Sequence, residues 1–404
     1  MSHLYPLLLT PIYKEMLWGG NRLNKIFNRN SPYEKTGESW DVSCRPNEMC
    51  IIENGIAAGT TFEEYIAQDK TGVLGTRPAK EKRFPLLVKL IDANDVLSVQ
   101  VHPDDNYARR DRGTVLLSMQ DRNKPFSDED RRTVPLSRDA DTGKTEMWYI
   151  LTPPTDGHLI IGLKPGVTQA DLRTAFEKGK VEDCLYRLPV AAGDIVNIPA
   201  GLVHALTPGA MVAEVQQNSD ITYRLYDYNR KGLDGNLRQL HVEDALAVAD
   251  FQSKIPKATV PGLSIKNGGC IQTYAIANQY FAVIKYELAG SLEETSDPAA
   301  FCIFTCMEGE AEILSPMPIC TDCPSETVQN PTNKMASHGN LSTYVPAGRS
   351  VFIPAGLGNF TLRAKHRNCV LLKSFVPDIE KDFITPLKNR GYTDKEIATY
   401  TATV

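Results

Sequence analysis

Gly193-Asp194-Ile195-Val196-Asn197-Ile198-Pro199-Ala200-Gly201-Leu202-Val203-His204 reads as a short apolar strand bracketed by glycines and closed by proline, and the chain carries it twice. The second copy, Gly348-x₅-Pro354-x-Gly356-x₂-Asn359, keeps the spacing and the Ile-Pro-Ala-Gly-Leu core, and a Val-(Ala/Pro)-Ala-Gly run precedes the strand in both. Glycine permits the turn conformations that open and close such a strand, and proline ends it at an edge or turn. A repeated strand-and-turn unit implies one small β-barrel used twice. In the second copy Asn359 stands where the first has His204, and no Gln-x-His precedes it, so the second barrel is expected to hold no equivalent metal.

Working outward, most of the chain alternates or runs apolar in short pieces bounded by Gly, Pro, Asn and Asp: 84–91, 96–101, 145–151, 158–163, 195–198, 211–215 and 221–226. Helical signals are few. Thr61-x-x-Glu64 opens one short segment, Thr168-x-x-Asp171 another, and 242–249 has helical spacing. The fold class is therefore mainly β, two antiparallel barrels with a few short helices. The boundaries fall at 1–255 for an N-terminal metal-bearing domain and 256–404 for a degenerate C-terminal one. Polar excursions at about 106–142 and 315–342 interrupt them, the first with the charge mixture of a surface loop or lid.

Composition narrows the partners. A chain of 404 residues with a net charge of −5 and intermixed signs offers no basic field for nucleic acid. No apolar stretch resembles a signal peptide or a membrane span, which gives the expectation of a soluble, cytoplasmic protein. Nothing in the sequence indicates an oligomer. Nine scattered cysteines fit free thiols better than a disulfide framework. Cys320-x₂-Cys323, with Cys302 and Cys306 upstream, is a distractor for a second metal site, because Cys302, Phe304 and Cys306 share one face of an apolar strand.

Chemistry concentrates in the first half. Residues spaced by two on a strand point the same way, so Gln100 and His102 share a face, as do Lys144 and Glu146. With His204 they supply two imidazoles, a carboxylate and an amide oxygen. A borderline divalent ion such as Zn²⁺ accepts that mixed shell and keeps room for a water or substrate oxygen. Ser98 has the same parity as Gln100 and His102 and adds a hydroxyl. The remaining histidines, His3, His158, His241, His338 and His366, read as structural or exposed, and Trp18 and Trp40 as packing residues.

Several motifs in order sharpen this picture: Trp18-Gly19-Gly20, Gly37-Glu38-Ser39-Trp40, Phe84-Pro85-Leu86-Leu87-Val88-Lys89, Leu97-Ser98-Val99-Gln100-Val101-His102-Pro103, Gly143-Lys144-Thr145-Glu146-Met147-Trp148-Tyr149, and Glu214 through Ser219-Asp220-Ile221-Thr222-Tyr223-Arg224. The repeated strand resembles the second signature of the cupin superfamily, a jelly-roll barrel with a metal inside. The full set resembles the short bacterial form of the type I mannose-6-phosphate isomerases, strongly over about residues 1 to 250 and weakly beyond. That resemblance implies one zinc per chain on Gln100, His102, Glu146 and His204. It also implies a metal-dependent aldose–ketose isomerase that interconverts mannose 6-phosphate and fructose 6-phosphate through an enediol. It assigns active-site roles to Arg224, to Glu214 ten positions earlier, and to Lys144 and Lys89. Glu214, Lys144 and a metal-bound water are the acid/base candidates, and Arg224 with Lys89 or Lys144 the phosphate donors, with Arg230-Lys231 close by. Ser98 is a further substrate contact. A metal-dependent cupin oxygenase and a non-catalytic sugar-phosphate-binding cupin stand as alternatives.

Overall fold

The computed structural model describes residues 4–109, 142–232, 235–252, 259–316, 333–336, 340–366 and 368–401. Residues 110–141, where most of the first excursion falls, lie outside them, as do Cys320 and Cys323.

The first unit is two facing antiparallel sheets. One has six strands in the order Ile195–Ile198, Glu146–Thr152, Met211–Gln217, Leu86–Asp92, Thr36–Val42 and Ile12–Gly20. The other has five, in the order Leu185–Pro189, His158–Leu163, His204–Ala205, Val99–Val101 and Tyr223–Tyr226. Alternation sorts each strand between two environments. From the six-stranded sheet, Ile91, Trp148, Ile150, Val196, Ile198 and Val212 face Leu159 and Ile161 of the other sheet. Their neighbours Leu86, Val88, Leu90, Met147, Tyr149, Ala213 and Val215 face away and pack on Phe281, Phe301 and Phe352 of the second unit. Both faces are covered, which is why these strands read as nearly continuous apolar runs. The rings of Phe84 and Phe301, and of Phe301 and Phe352, stack at 5.0 Å between centroids. Truncating one of these buried rings to alanine costs about 3–5 kcal/mol.

Helices cover the outer face of the five-stranded sheet, where Leu172 and Ala175 of Gln169–Glu177 and Ala245 and Leu246 of Val242–Val248 pack on Val99, Val101, Ala205 and Leu225. Thr168 and Thr61 cap their helices with reciprocal bonds to Asp171 and Glu64, as their spacing implies. The helices Arg22–Phe27, Lys70–Leu74 and Thr385–Lys388 are too short to show a period, while Asp394–Ile397 carries the same Thr-x-x-Glu signal, at Thr393 and Glu396, that the sequence reading passed over. No helix among the described residues is long and apolar enough to cross a membrane.

The second unit repeats the plan. Its larger sheet runs Leu7–Leu8, Ser350–Ile353, Cys302–Glu308, Cys369–Phe375, Ala282–Leu288, Cys270–Ala277 and Leu263–Asn267, so the first strand of the chain crosses to the second unit's sheet. Its smaller sheet runs Ser291–Thr295, Asn359–Ala364, Glu310–Pro316, Asn340–Pro346 and Asn333–Ala336. This is the mainly β, doubled cupin-type architecture that the repeat implies. Register aligns the copies: Glu146 stands opposite Ile198 and Cys302 opposite Ile353, while Glu214 stands opposite Trp148 and Lys373 opposite Phe304. The second unit thus places a thiol where the first has a carboxylate. Asn359 is not the structural mate of His204, as equal spacing would make it. It is exposed and accepts a bond from Thr295, while Phe360 and Leu362 face the core. The seven cysteines within the described residues are free thiols, with Cys306 and Cys369 sulfurs 3.9 Å apart.

Candidate metal centre and active site

Three strands of the smaller sheet bring one row of side chains together, since Gln100 lies opposite both His204 and Arg224. The larger sheet supplies a facing row, Trp40, Lys89, Glu214 and Trp148, each opposite the next. Glu146 is two residues before Trp148 and shares its face.

The metal ligands expected from sequence converge between these rows. His102, Glu146 and His204 are buried, and one ligand atom from each lies within 4.8 Å of the others. Glu146 Oε2 is 3.5 Å from His102 Nε2, and Oε1 is 3.4 Å from His204 Nε2. The Gln100 side chain reaches the cluster through its nitrogen, Nε2, 3.3 Å from His204 Nε2, rather than through the oxygen expected as a ligand. Each imidazole is oriented from behind: His102 Nδ1 donates to the Ile221 carbonyl at 2.9 Å and His204 Nδ1 to the Leu202 carbonyl at 2.8 Å. Those bonds fix the tautomer and leave both Nε2 atoms as lone-pair donors aimed at Glu146. Burial pushes the His102 imidazole down to about 3, helped by the Lys144 cation, and burial also lowers His204. Both rings are thereby neutral, the form that ligates. Neither Glu146 oxygen has an aligned hydrogen bond, although the Lys144 ammonium lies 2.9 Å from Oε2. Lys144 is the cation beside Glu146 Oε2 here, and the buried donor set of two neutral imidazoles and a carboxylate fits a divalent ion with N/O preference.

Beside this centre is a network of paired charges. Lys144 Nζ is 3.2 Å from His102 Nε2 and 4.0 Å from Glu214 Oε1. Lys89 Nζ is 3.5 Å from Glu214 Oε1 and 3.3 Å from Glu38 Oε2. Burial would depress both lysines, but Glu146 and Glu214 hold Lys144 cationic, and Glu38 and Glu214 do the same for Lys89. The carboxyls are driven apart. Burial alone would raise Glu146, yet Lys144 and the histidines keep it well below the usual carboxylate range. Burial and the Glu146 charge raise Glu214 above it, against Lys144 and Lys89. Trp148 donates to Glu214 Oε2 at 2.9 Å, while the buried Oε1 has no aligned hydrogen bond.

Comparison with known proteins decides what kind of chain this is. Residues 7–133 match the family model for the catalytic domain of type I phosphomannose isomerase. The probable mannose-6-phosphate isomerase GmuF of Bacillus subtilis is 37% identical over 290 residues, 72% of this chain and 81% of its own. The chain belongs to the type I phosphomannose isomerase family. Mannose-6-phosphate isomerase from Streptococcus mutans is 33% identical over 308 residues, covering 76% of this chain and 86% of that one. The crystal structure of the mannose 6-phosphate isomerase of B. subtilis superposes with a TM-score of 0.72 at 28% identity, over 91% of this chain and 99% of that chain.

Not every residue singled out in the sequence joins the cluster. Arg224 shares the Gln100 row, but its guanidinium donates to the exposed Gln239 carbonyl at 2.7 Å. Its main-chain N–H donates to His241 Nδ1 at 3.2 Å, and His241 N–H returns a bond to the Arg224 carbonyl at 2.7 Å. Ser98 is buried just before the Val99–Val101 strand. Sequence reasoning missed Glu38 as a functional neighbour and gave Trp40 to packing. Trp40 Nε1 donates to Glu38 Oε2 at 2.7 Å, and the Lys89 and Lys14 ammonium groups lie 4.7 and 4.5 Å from its ring centroid. The parity of Glu38 and Trp40 was the available signal, but their link to Lys89 needs strand register.

Proposed function

We propose that this chain interconverts mannose 6-phosphate and fructose 6-phosphate, moving a proton between neighbouring carbons through an enediol. The observation that carries this reading is the adjacency of a neutral-imidazole metal centre to Glu214, a buried carboxyl raised toward neutrality and flanked by two lysines. Gln100, His102, Glu146 and His204 would hold one zinc ion, which when bound supplies positive charge to the carbonyl and enediolate oxygens. Glu214 Oε1 removes the proton next to the carbonyl and returns it to the adjacent carbon, its other oxygen being held by Trp148. Lys144 and Lys89 offset negative charge as it develops, and burial excludes water that would scatter the proton. Arg224, near Arg230 and Arg238, takes the phosphate, and Ser98 adds a hydroxyl contact. A phosphorylated substrate suits a cytoplasmic setting.

The test is conversion of mannose 6-phosphate to fructose 6-phosphate by the purified chain as isolated, after chelation, and after zinc is restored. Activity lost on chelation and regained with zinc is the expected result. No conversion by fully metal-loaded protein would overturn the reading.

A further inference from the structure

The metal ligands come from two sheets that face each other, so their spacing depends on whatever ties the end of the His102 segment to the start of the Glu146 strand. That tie is Asp105. Its Oδ1 accepts from the Gly143 N–H at 2.7 Å and from Gln217 Nε2 at 3.2 Å. Gln217 in turn accepts from the Thr145 N–H at 2.8 Å and donates its own N–H to the Thr145 carbonyl at 3.1 Å. Lys144 N–H donates to the Pro103 carbonyl at 3.0 Å, and Gly201 N–H to the His102 carbonyl at 2.8 Å. The two backbones touch so closely that a Cβ on Gly143 would sit 2.5 Å from Asp104 C and Asp105 N. The segments leading from His102 and into Lys144 and Glu146 are therefore docked main chain to main chain, at the base of the long excursion.

The remaining carboxylate oxygen points to the other unit. Tyr280, between the Cys270–Ala277 and Ala282–Leu288 strands of the second unit, donates its hydroxyl to Asp105 Oδ2 at 3.1 Å. The neighbouring turn is braced by Asn278 Oδ1, which accepts from the N–H groups of Tyr280 and Phe281 at 2.8 and 3.0 Å. Phe281 is buried among the aromatic rings between the units.

We infer that Asp105 is a positioning residue for the metal centre and Lys144, and that Tyr280 gives the second unit a part in turnover by holding Asp105. Asp105 acts through Gly143, which it bonds directly, and through Gln217, which holds Thr145, so that Lys144 is fixed between two anchored neighbours. The turnover part of this inference rests on the isomerase reading; the metal part does not.

The test uses the full chain carrying D105A, D105N, Y280F and the D105A/Y280F pair, with zinc content, zinc release to a colorimetric chelator, kcat, KM and thermal midpoint measured for each. D105A should lower kcat by about tenfold or more, since small misplacements of catalytic groups cost rate steeply, and should speed zinc release by a similar factor. D105N should stay close to wild type, because its Oδ1 still accepts from Gly143 and Gln217 and its amide can donate to Tyr280. Y280F, which removes one hydroxyl, should lower kcat by about threefold. The pair should match D105A alone, since Tyr280 acts through Asp105. Should D105A fail to fold, Y280F and D105N still decide between the outcomes. A lowered thermal midpoint in Y280F with kcat and zinc release unchanged would overturn the inference, and so would multiplying effects in the pair. Wild-type protein inactive as an isomerase, with zinc release still accelerated by D105A, would remove the isomerase reading and leave the positioning role standing.

Discussion

Replacing Lys144 by methionine should abolish turnover and yet tighten metal binding. The ammonium lies 2.9 Å from Glu146 Oε2 and 3.2 Å from His102 Nε2, two atoms that face the metal position. Glu146 is fully buried and Lys144 nearly so, with 0% and 5% side-chain exposure, so solvent does little to screen the contact. In metal-free protein the lysine is the nearest cation to that carboxylate, and breaking a buried pair of this kind costs about 3–5 kcal/mol. In metal-loaded protein the carboxylate has another cation, and the ammonium becomes a repelling neighbour. At about 4 Å and an effective dielectric constant near 20, two like unit charges repel by about 4 kcal/mol. Both halves of the thermodynamic cycle favour the metal in K144M, because the variant destabilises the metal-free state more than the loaded one. Proton uptake by Glu146 in the variant works against part of this gain, since zinc must then displace the proton. If about half of the smaller figure survives, about 1.5 kcal/mol, zinc binds about tenfold more tightly. Competition titrations against a chelator, with thermal midpoints of both proteins in metal-free and loaded form, measure each side of the cycle. Wild-type or weaker zinc affinity in K144M, together with an unchanged metal-free midpoint, would refute the reasoning.

Two further outcomes concern Arg224 and its partner His241. R224A should keep its metal and raise the KM for the sugar phosphate by roughly ten- to a hundredfold, the equivalent of one charged hydrogen bond of about 1.5–3 kcal/mol; an unchanged KM in a steady-state assay would remove Arg224 from phosphate binding. His241, faced by Arg224, Asp244 and the Tyr223 ring, is lowered by burial and by the Arg224 charge. The unfolded chain takes up a proton there near pH 6.5, where the fold still resists it, so the unfolded state binds more protons and stability falls as pH drops below about 6.5. H241N offers Oδ1 to the Arg224 N–H without titrating, so its thermal midpoint should fall less between pH 7 and pH 5.5; parallel curves for the two proteins would contradict this.

The cluster of His102, Glu146 and His204 was legible in the sequence because a spacing of two on a strand gives Gln100 and His102, and Lys144 and Glu146, a shared face, and the repeated glycine- and proline-bounded strand ends at His204. Glu214 as a neighbour of Lys89 and Lys144 was indicated only by family resemblance, and Glu38 not at all as a partner of Lys89. Their contacts run between strands far apart in the chain, from Trp40 to Lys89 and from Lys89 to Glu214, and only register decides which side chains meet. Asp105 and Tyr280 are further still from anything periodicity reveals, since they meet between the two units.

The repeat shows how far spacing alone can be trusted. Equal spacing equates Asn359 with His204, yet the strands are in opposite phase at that point: His204 faces the metal centre, whereas Asn359 is exposed and its neighbour Phe360 turns inward. Gly358 stands between Leu357 and Asn359 with a φ of +84°, a backbone conformation that its counterpart Val203 does not share. The first copy has its left-handed glycine two positions earlier, at Gly201 with a φ of +88°, so the turn is built differently in the two copies and the strands leave it with their faces exchanged. The second unit therefore differs from the first at more than the substituted residue. With Cys302 in the register position of Glu146 and Lys373 in that of Glu214, its interior carries a covalently attached cation, paired with Glu294 at 3.1 Å, in the same part of the fold where the first unit gathers ligands for a metal. Restoring a histidine at 359 would place it in solvent, so a metal site could be rebuilt there only by also resetting the phase at Gly358 and removing the Lys373 charge.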